Sequence, residues 1–313
     1  MSLLDNKERE ATQRIHSAGG TAKRILVLGG TQYFGKRLVQ ILIDQGHEVT
    51  IATRGQTPDP FGEHVKRVSV DRTSLESMRK AFSGQTWDIV YDNICYSPDE
   101  ALVGCEVFSG KVGQYVLTST LVVYELDGKL HGEDDFNPRL YPLKTGSQSA
   151  FWYGEAKRLA EAAFFQKAPF PVCAVRFPIV LGTDDYTRRL HFHIERIKNG
   201  QTIGIPNPTA AMNYITSAEA ASFLAWLADC FMEGPVNAAS KGALSLNDMI
   251  TLIEQTVGQK AHIQSHTVDA DMSPFGVPRS WLLDTTHVEK AGFRFSDIMD
   301  WFPQLVREIA AKG

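Results

Sequence analysis

Apolar residues in this chain come in short runs that alternate with stretches of helical period. From Lys23 the run RILVLGG ends in two glycines, and FGKRLVQILIDQG follows with apolar positions three and four apart. That order predicts strand, tight turn, helix. Further strands are expected over residues 49–52, 65–70, 88–91 and 114–117, with a helix over 73–82. Residues 125–150 (ELDGKLHGEDDFNPRLYPLKTGSQSA) are polar and turn-rich, too long for an ordinary connection and of the kind that carries function. Regular pattern resumes with a helix over 152–166 and the strand PVCAVRF.

Beyond Pro178 the elements shorten. A helix is expected near 191–198, strands near 202–205 and 213–215, and a helix over 217–231 that returns to the sheet. Strand and helix alternate through the first half, which marks a parallel sheet covered on both faces. The expected class is α/β, a Rossmann-type doubly wound parallel sheet with a smaller C-terminal substrate lobe. Residues 1–22 are an extension, 23–177 the core with 213–232 returning to it, and 178–212 with 233–313 the lobe.

Composition narrows the function little. At 313 residues, 43% hydrophobic and 22% charged, the chain can bury a sizeable core and is neither disordered nor membrane-like in character. A formal net charge of -4 weighs against a nucleic-acid partner, which normally meets a clustered positive field. Cys95, Cys105, Cys173 and Cys230 lie far apart without metal-ligand spacing, so free buried thiols are expected and no metal. No apolar run reaches the ~20 residues of a membrane span. Residues 1–22 are too polar for a secretory signal, so a cytoplasmic protein without a membrane partner is expected.

Gly29, Gly30 and Gly35 stand where the first strand hands over to a helix. Backbone N–H groups and a helix N-terminus there can face a pyrophosphate, so a nicotinamide dinucleotide is the expected cofactor. An NAD site usually places a carboxylate at the end of the second strand. Here that strand ends in Thr53 and Arg54. A guanidinium suits a 2'-phosphate, so NADP is expected in preference to NAD.

In SAFWYGEAKRLAE, Tyr153 and Lys157 are four residues apart and share one helix face. An ammonium beside a phenol favours the phenolate, which gives an acid/base usable near neutrality. The same lysine can hold the nicotinamide ribose. The preceding strand ends in Thr118, Ser119 and Thr120, and a hydroxyl there can bond a substrate oxygen whose charge changes during hydride transfer. Capping of the strand end is the competing role for these three. Arg188, Arg189, His191 and Arg279 are candidates for gripping an anionic substrate group, against the simpler role of solvated charges.

With these residues in place, the chain resembles the extended or atypical short-chain dehydrogenase/reductase superfamily, in its NAD-dependent epimerase/dehydratase branch. The resemblance runs over nearly everything after Lys23 and is carried by GGTQYFG, VLTSTLVVY, YGEAK, RFPIVLG and LLDTTHVEKAGF. It implies that Thr120, four residues before Tyr124, is the catalytic hydroxyl, with Ser119 the second choice. It makes Tyr153 the acid/base, Lys157 its partner and Asp71 the adenine-side carboxylate. Thr31, Gln32, Tyr33 and Phe34 would join the glycines in holding the cofactor. Arg176, Pro178 and Gly182 would lead into the pocket of a sugar nucleotide or another small polyol or carbonyl compound. Relatives dimerise through two helices, here near 100–108 and 152–166, so a homodimer is implied.

Two departures stand out. Gln32 replaces the middle glycine of G-x-x-G-x-x-G, and YDNICY replaces a run of small residues after the fourth strand. Turns of the form GGT-x-x-x-G also occur in an atypical branch that includes chloroplast RNA-binding proteins. A non-catalytic dinucleotide-sensing or RNA-binding protein is therefore the alternative, and the intact Tyr153–Lys157 pair favours an enzyme: an NAD(P)-dependent epimerase, dehydratase or reductase.

Overall fold

Seven parallel strands form the central sheet of the computed structural model, which describes residues 21–312. The expectation for residues 1–22 thus falls almost wholly outside the described residues. In chain order the strands are β1 (Arg24–Leu28), β2 (Glu48–Thr53), β3 (Val65–Ser69), β4 (Trp87–Asp92), β5 (Val112–Thr120), β6 (Val172–Phe177) and β7 (Gly234–Asn237). Their spatial order is β7-β6-β5-β4-β1-β2-β3. The order reverses between β1 and β4, where Leu28 pairs with both Ala52 and Asp92. In doubly wound sheets a ligand crevice opens at that reversal, beyond the carboxyl ends of the strands.

Two apolar layers sandwich the sheet. On one face lie α1 (Tyr33–Asp44) and, later in the chain, the helix Ser217–Trp226. Leu38, Val39 and Leu42 of α1, one turn apart, meet Val27, Ile51, Phe223 and Leu224 in one core. The other face is covered by α2 (Leu75–Ala81), α3 (Pro98–Val107) and α4 (Tyr153–Lys167), with Phe82, Phe108, Tyr115 and Phe164 at the centre. Ser97 starts α3 by accepting from Glu100 N–H, and Pro98 fits the first turn because no partner for its missing N–H is needed there.

Between these layers sits a buried ion pair. Arg176 of β6 and Glu161 of α4 are both fully buried and meet at 2.6 Å. Arg176 also donates to Tyr124 Oη at 2.7 Å and to the carbonyls of Glu133 and Phe136 at 2.9 and 3.0 Å. One guanidinium thus ties the long polar segment 125–150 to the sheet. That segment crosses α4, where Gln166 Nε2 donates to the carbonyls of Pro138 and Tyr141 at 2.9 and 2.8 Å.

Continuing the helix numbering, α5 (Arg189–Lys198), α6 (Ser217–Trp226), α7 (Leu246–Val257), α8 (Thr286–Ala291) and α9 (Ile298–Lys312) complete the chain. A third apolar cluster joins α5, α7 and α9 through Ile194, Ile197, Met249, Ile253, Phe302 and Leu305, and this is the C-terminal lobe. One boundary differs from expectation: β7 lies in the segment assigned to the lobe but hydrogen-bonds beside β6, and Val288 of α8 packs into the sheet core. Its sequence, GPVN, is too short to show a periodic pattern. The expected helix over 217–231 ends at Trp226. All four cysteines are free, and three of them are buried.

Candidate active site

Each glycine of the opening bend is required by what lies against it. Gly29 has φ +82°, and a Cβ there would collide with the Ile94 side chain. A Cβ on Gly30 would meet Val39 Cγ2 at 2.8 Å. One on Gly35 would fall on the Gly29 carbonyl and lie 3.3 Å from Asn93 Nδ2. Gln32, in the middle glycine position, is extended at φ −135° and needs no glycine. The left-handed residue is instead Tyr33, at φ +53°. Gln32 gives no side-chain cap to α1, so the first-turn N–H groups stay available to an anionic ligand. The bend therefore fits a dinucleotide pyrophosphate: backbone donors face outward from a hollow that a Cβ would fill. Thr31 and Phe34 complete the bend and the first turn.

At the end of β2, Thr53 Oγ1 accepts from Gly55 N–H at 3.1 Å, and Arg54 is exposed. Asp71, beyond β3, accepts from Thr73 Oγ1 and N–H at 2.7 and 2.9 Å. Those bonds, the hydroxyl first, hold its carboxyl below the usual range, and the positive charge of Arg54 adds to the effect. Arg54 and Asp71 thus share the same edge of the crevice.

Tyr153 opens α4 and is 46% exposed, whereas Lys157, one turn on, is 3% exposed. Lys157 Nζ donates to the carbonyls of Cys95 at 2.8 Å and Thr118 at 2.7 Å, and lies 5.5 Å from the centre of the Tyr96 ring. An ammonium has three N–H groups, so one is left over from these two bonds. The hydroxyls at the end of β5 divide by role. Thr118 Oγ1 donates to Asn93 Oδ1 at 2.7 Å. Ser119 Oγ donates inward to Glu161 and is buried beside the Arg176 pair. Thr120 Oγ1 accepts from Val122 N–H at 3.3 Å, which leaves its own proton to donate. The geometry thus favours Thr120 over Ser119 for a substrate contact, because Ser119 spends its proton in the interior.

Tyr96 was not among the residues singled out by the sequence. Its phenol is pushed up by burial first, then by the neighbouring phenols of Tyr186 and Tyr153. Its position in YDNICY, where small residues were expected, was the available signal.

The four candidate substrate grips do not converge. Arg188 is exposed, left-handed at φ +54°, and paired with Glu195. Arg189 Nε donates to Thr187 Oγ1 at 2.9 Å and stands 4.0 Å from Asp185. These two arginines share an open depression of about 360 Å³ with Phe192, Glu195 and Met272. His191 is partly buried, and burial, then Arg188, holds its imidazole below the ordinary histidine range. Arg279 is exposed on a separate loop, beside Gly128. Among the described residues no group of His, Cys, Asp or Glu side chains could hold a metal, and no helix is long and apolar enough to cross a membrane.

Comparison with known proteins places this geometry. Residues 25–96 match the model of the NAD dependent epimerase/dehydratase family. The chain is 24% identical over 208 residues to the chloroplast stem-loop binding protein of 41 kDa b of Arabidopsis thaliana, covering 62% of this chain and 51% of that one. It is 30% identical over 98 residues to 2'-dehydrokanamycin reductase of Streptomyces kanamyceticus, covering 31% and 28%. The chain thus spans about half the length of the first relative and less of the second. The fold is that of a Thermus thermophilus UDP-glucose 4-epimerase solved in complex with NAD, with a TM-score of 0.69 and 18% identity over 92% of this chain and 98% of that one.

Proposed function

From a nucleotide-binding segment that belongs to the NAD-dependent epimerase/dehydratase family, we propose that the chain is an NAD(P)-dependent epimerase, dehydratase or reductase with Tyr153 as its acid/base. The substrate is a sugar nucleotide or another small carbonyl or polyol compound. One observation carries this reading: a buried ammonium, fixed by two strand-end carbonyls, stands one helical turn from an exposed phenol at the crevice.

The first-turn N–H groups of α1 hold the pyrophosphate, and Arg54 meets a 2'-phosphate, which makes NADP the preferred form. Bound nicotinamide supplies the site that gives or takes the hydride. The remaining N–H of Lys157 bonds the nicotinamide ribose, and its charge favours the phenolate of Tyr153. Tyr153 then moves the proton at the substrate oxygen, while Thr120 Oγ1 donates to that oxygen as its charge changes. Arg188 or Arg189 pairs with an anionic part of the substrate. A second copy would dock along α3 and α4, where Leu102 and Val103 are half-buried.

Support for chemistry on a sugar comes from the relatives: one is a reductase of a kanamycin derivative and another a UDP-glucose 4-epimerase. Screening NADP, NAD, sugar nucleotides and simple carbonyls, with product analysis for isomers that leave the reduced-nicotinamide absorbance unchanged, finds the substrate. Tyr153→Phe should then lower kcat by roughly 10²–10⁴-fold. Full turnover by that variant would overturn the proposal.

A second reading has one observation in its favour, the match to a chloroplast stem-loop binding protein over 62% of the chain. It predicts stem-loop RNA binding that weakens with added salt and is indifferent to Tyr153→Phe.

A further inference from the structure

Tyr186 is 65% exposed, yet the residues around it are fixed. Before it, Asp184 accepts from Arg37 Nε at 2.8 Å and from Ser217 Oγ at 2.7 Å. Next to it, Asp185 is buried and accepts from Thr187 N–H at 2.9 Å and from Thr187 Oγ1 at 2.5 Å. The ring itself meets Tyr33 edge to face, with centroids 5.9 Å apart and planes at 81°. Tyr33 belongs to the glycine bend and holds an unusual left-handed backbone. The loop is therefore locked on both sides of an aromatic ring that it leaves largely uncovered.

The position of that ring matters. Through Tyr33 it adjoins the bend, and its phenol acts on that of Tyr96, which also feels Tyr153 and whose ring lies under Lys157 Nζ. Tyr186 thus stands between the phosphate end of the crevice and the acid/base. A rigidly presented aromatic face in a crevice wall is suited to an apolar ring face and selects little by charge.

Resting on the cofactor and acid/base reading above, we propose that Tyr186 is a specificity-determining residue that stacks on the ring of a cyclic substrate. The face it meets is either the C–H face of a sugar or that of a planar carbonyl compound. Holding the loop in place beforehand lowers the ordering cost of that contact.

Calorimetric titration separates the cases. Wild type, Tyr186→Ala and Tyr186→Phe are titrated with NADP, and then each NADP-saturated protein with UDP-glucose and with benzaldehyde. The wild type should bind one of the two ring ligands. Tyr186→Ala should weaken that ligand by about three- to tenfold, leave the NADP Kd unchanged, and keep the wild-type Tm, because the ring is exposed. Tyr186→Phe should retain the wild-type affinity. Which ligand responds identifies the ring face.

Equal affinity of wild type and Tyr186→Ala for both ring ligands overturns the proposal. So does a Tyr186→Phe variant as weak as Tyr186→Ala, which would assign the effect to the hydroxyl, and so does failure of both ligands to bind. Failure of NADP to bind the wild type strikes instead at the cofactor reading. The ring ligands are then titrated into the free proteins, where the same comparison decides the role of Tyr186.

Discussion

The sheet with its glycine bend and the C-terminal lobe are stabilised by similar apolar clusters, yet they constrain function in different ways. In the sheet, the groups that matter are backbone: the N–H groups that α1 leaves uncapped, and the carbonyls of Cys95 and Thr118 that hold Lys157. In the lobe, α5, α7 and α9 pack through side chains alone, and α5 follows the loop that carries Tyr186. Changes in the core should therefore alter function at constant stability, and changes deep in the lobe should alter stability first.

The largest expected effect breaks the lobe. Phe302 is fully buried in its apolar cluster, so Phe302→Ala should cost about 3–5 kcal/mol in urea unfolding. At low denaturant the surviving folded protein should bind NADP as before. Next in size, Lys157→Met should lower kcat/KM by roughly 10²-fold or more in steady-state assays and weaken dinucleotide binding. Arg54→Asp should cost NADP about 10–100-fold in affinity relative to NAD, since a charge-assisted contact of ~1.5–3 kcal/mol is exchanged for repulsion. Parallel titrations with the two dinucleotides measure that ratio.

The smallest effect concerns His193 of α5, fully buried and stacked on Phe275 at 4.8 Å. Burial lowers its imidazole from 6.5 to about 4. Between those values the unfolded chain carries a proton that the folded chain refuses. Stability from this group is therefore complete above about pH 6.5 and is lost as pH falls toward 4, at a slope of up to about 1.4 kcal/mol per unit. Unfolding curves at pH 7 and pH 5 should show the loss, and His193→Phe should reduce the difference.

The same contrast explains what could be read from the sequence. The core was legible because backbone requirements leave fixed residues behind: Gly29, Gly30 and Gly35 at the bend, and Tyr153 with Lys157 at helical spacing. Even there the left-handed residue is Tyr33, since Gln32 can lie extended and pass the turn to its neighbour. The lobe was harder. Helix α9 carries Pro303, which reads as a break, and α7 went unread although Ser245 and Asp248 form a capping box and Gly258 ends the helix at φ +73°. Ser119 and Thr120 are adjacent hydroxyls in sequence, and only the buried Glu161 separates their roles. The convergence of Tyr96, Tyr153 and Tyr186 joins three distant segments, so no local pattern announces it.

A crystal structure with NADP bound tests the central claim most directly. The account predicts the pyrophosphate on the first-turn N–H groups of α1, and Tyr153 Oη and Lys157 Nζ each within about 3 Å of a ribose or substrate oxygen. A dinucleotide seated elsewhere, or a Tyr153 phenol turned away from the nicotinamide into solvent, would contradict it.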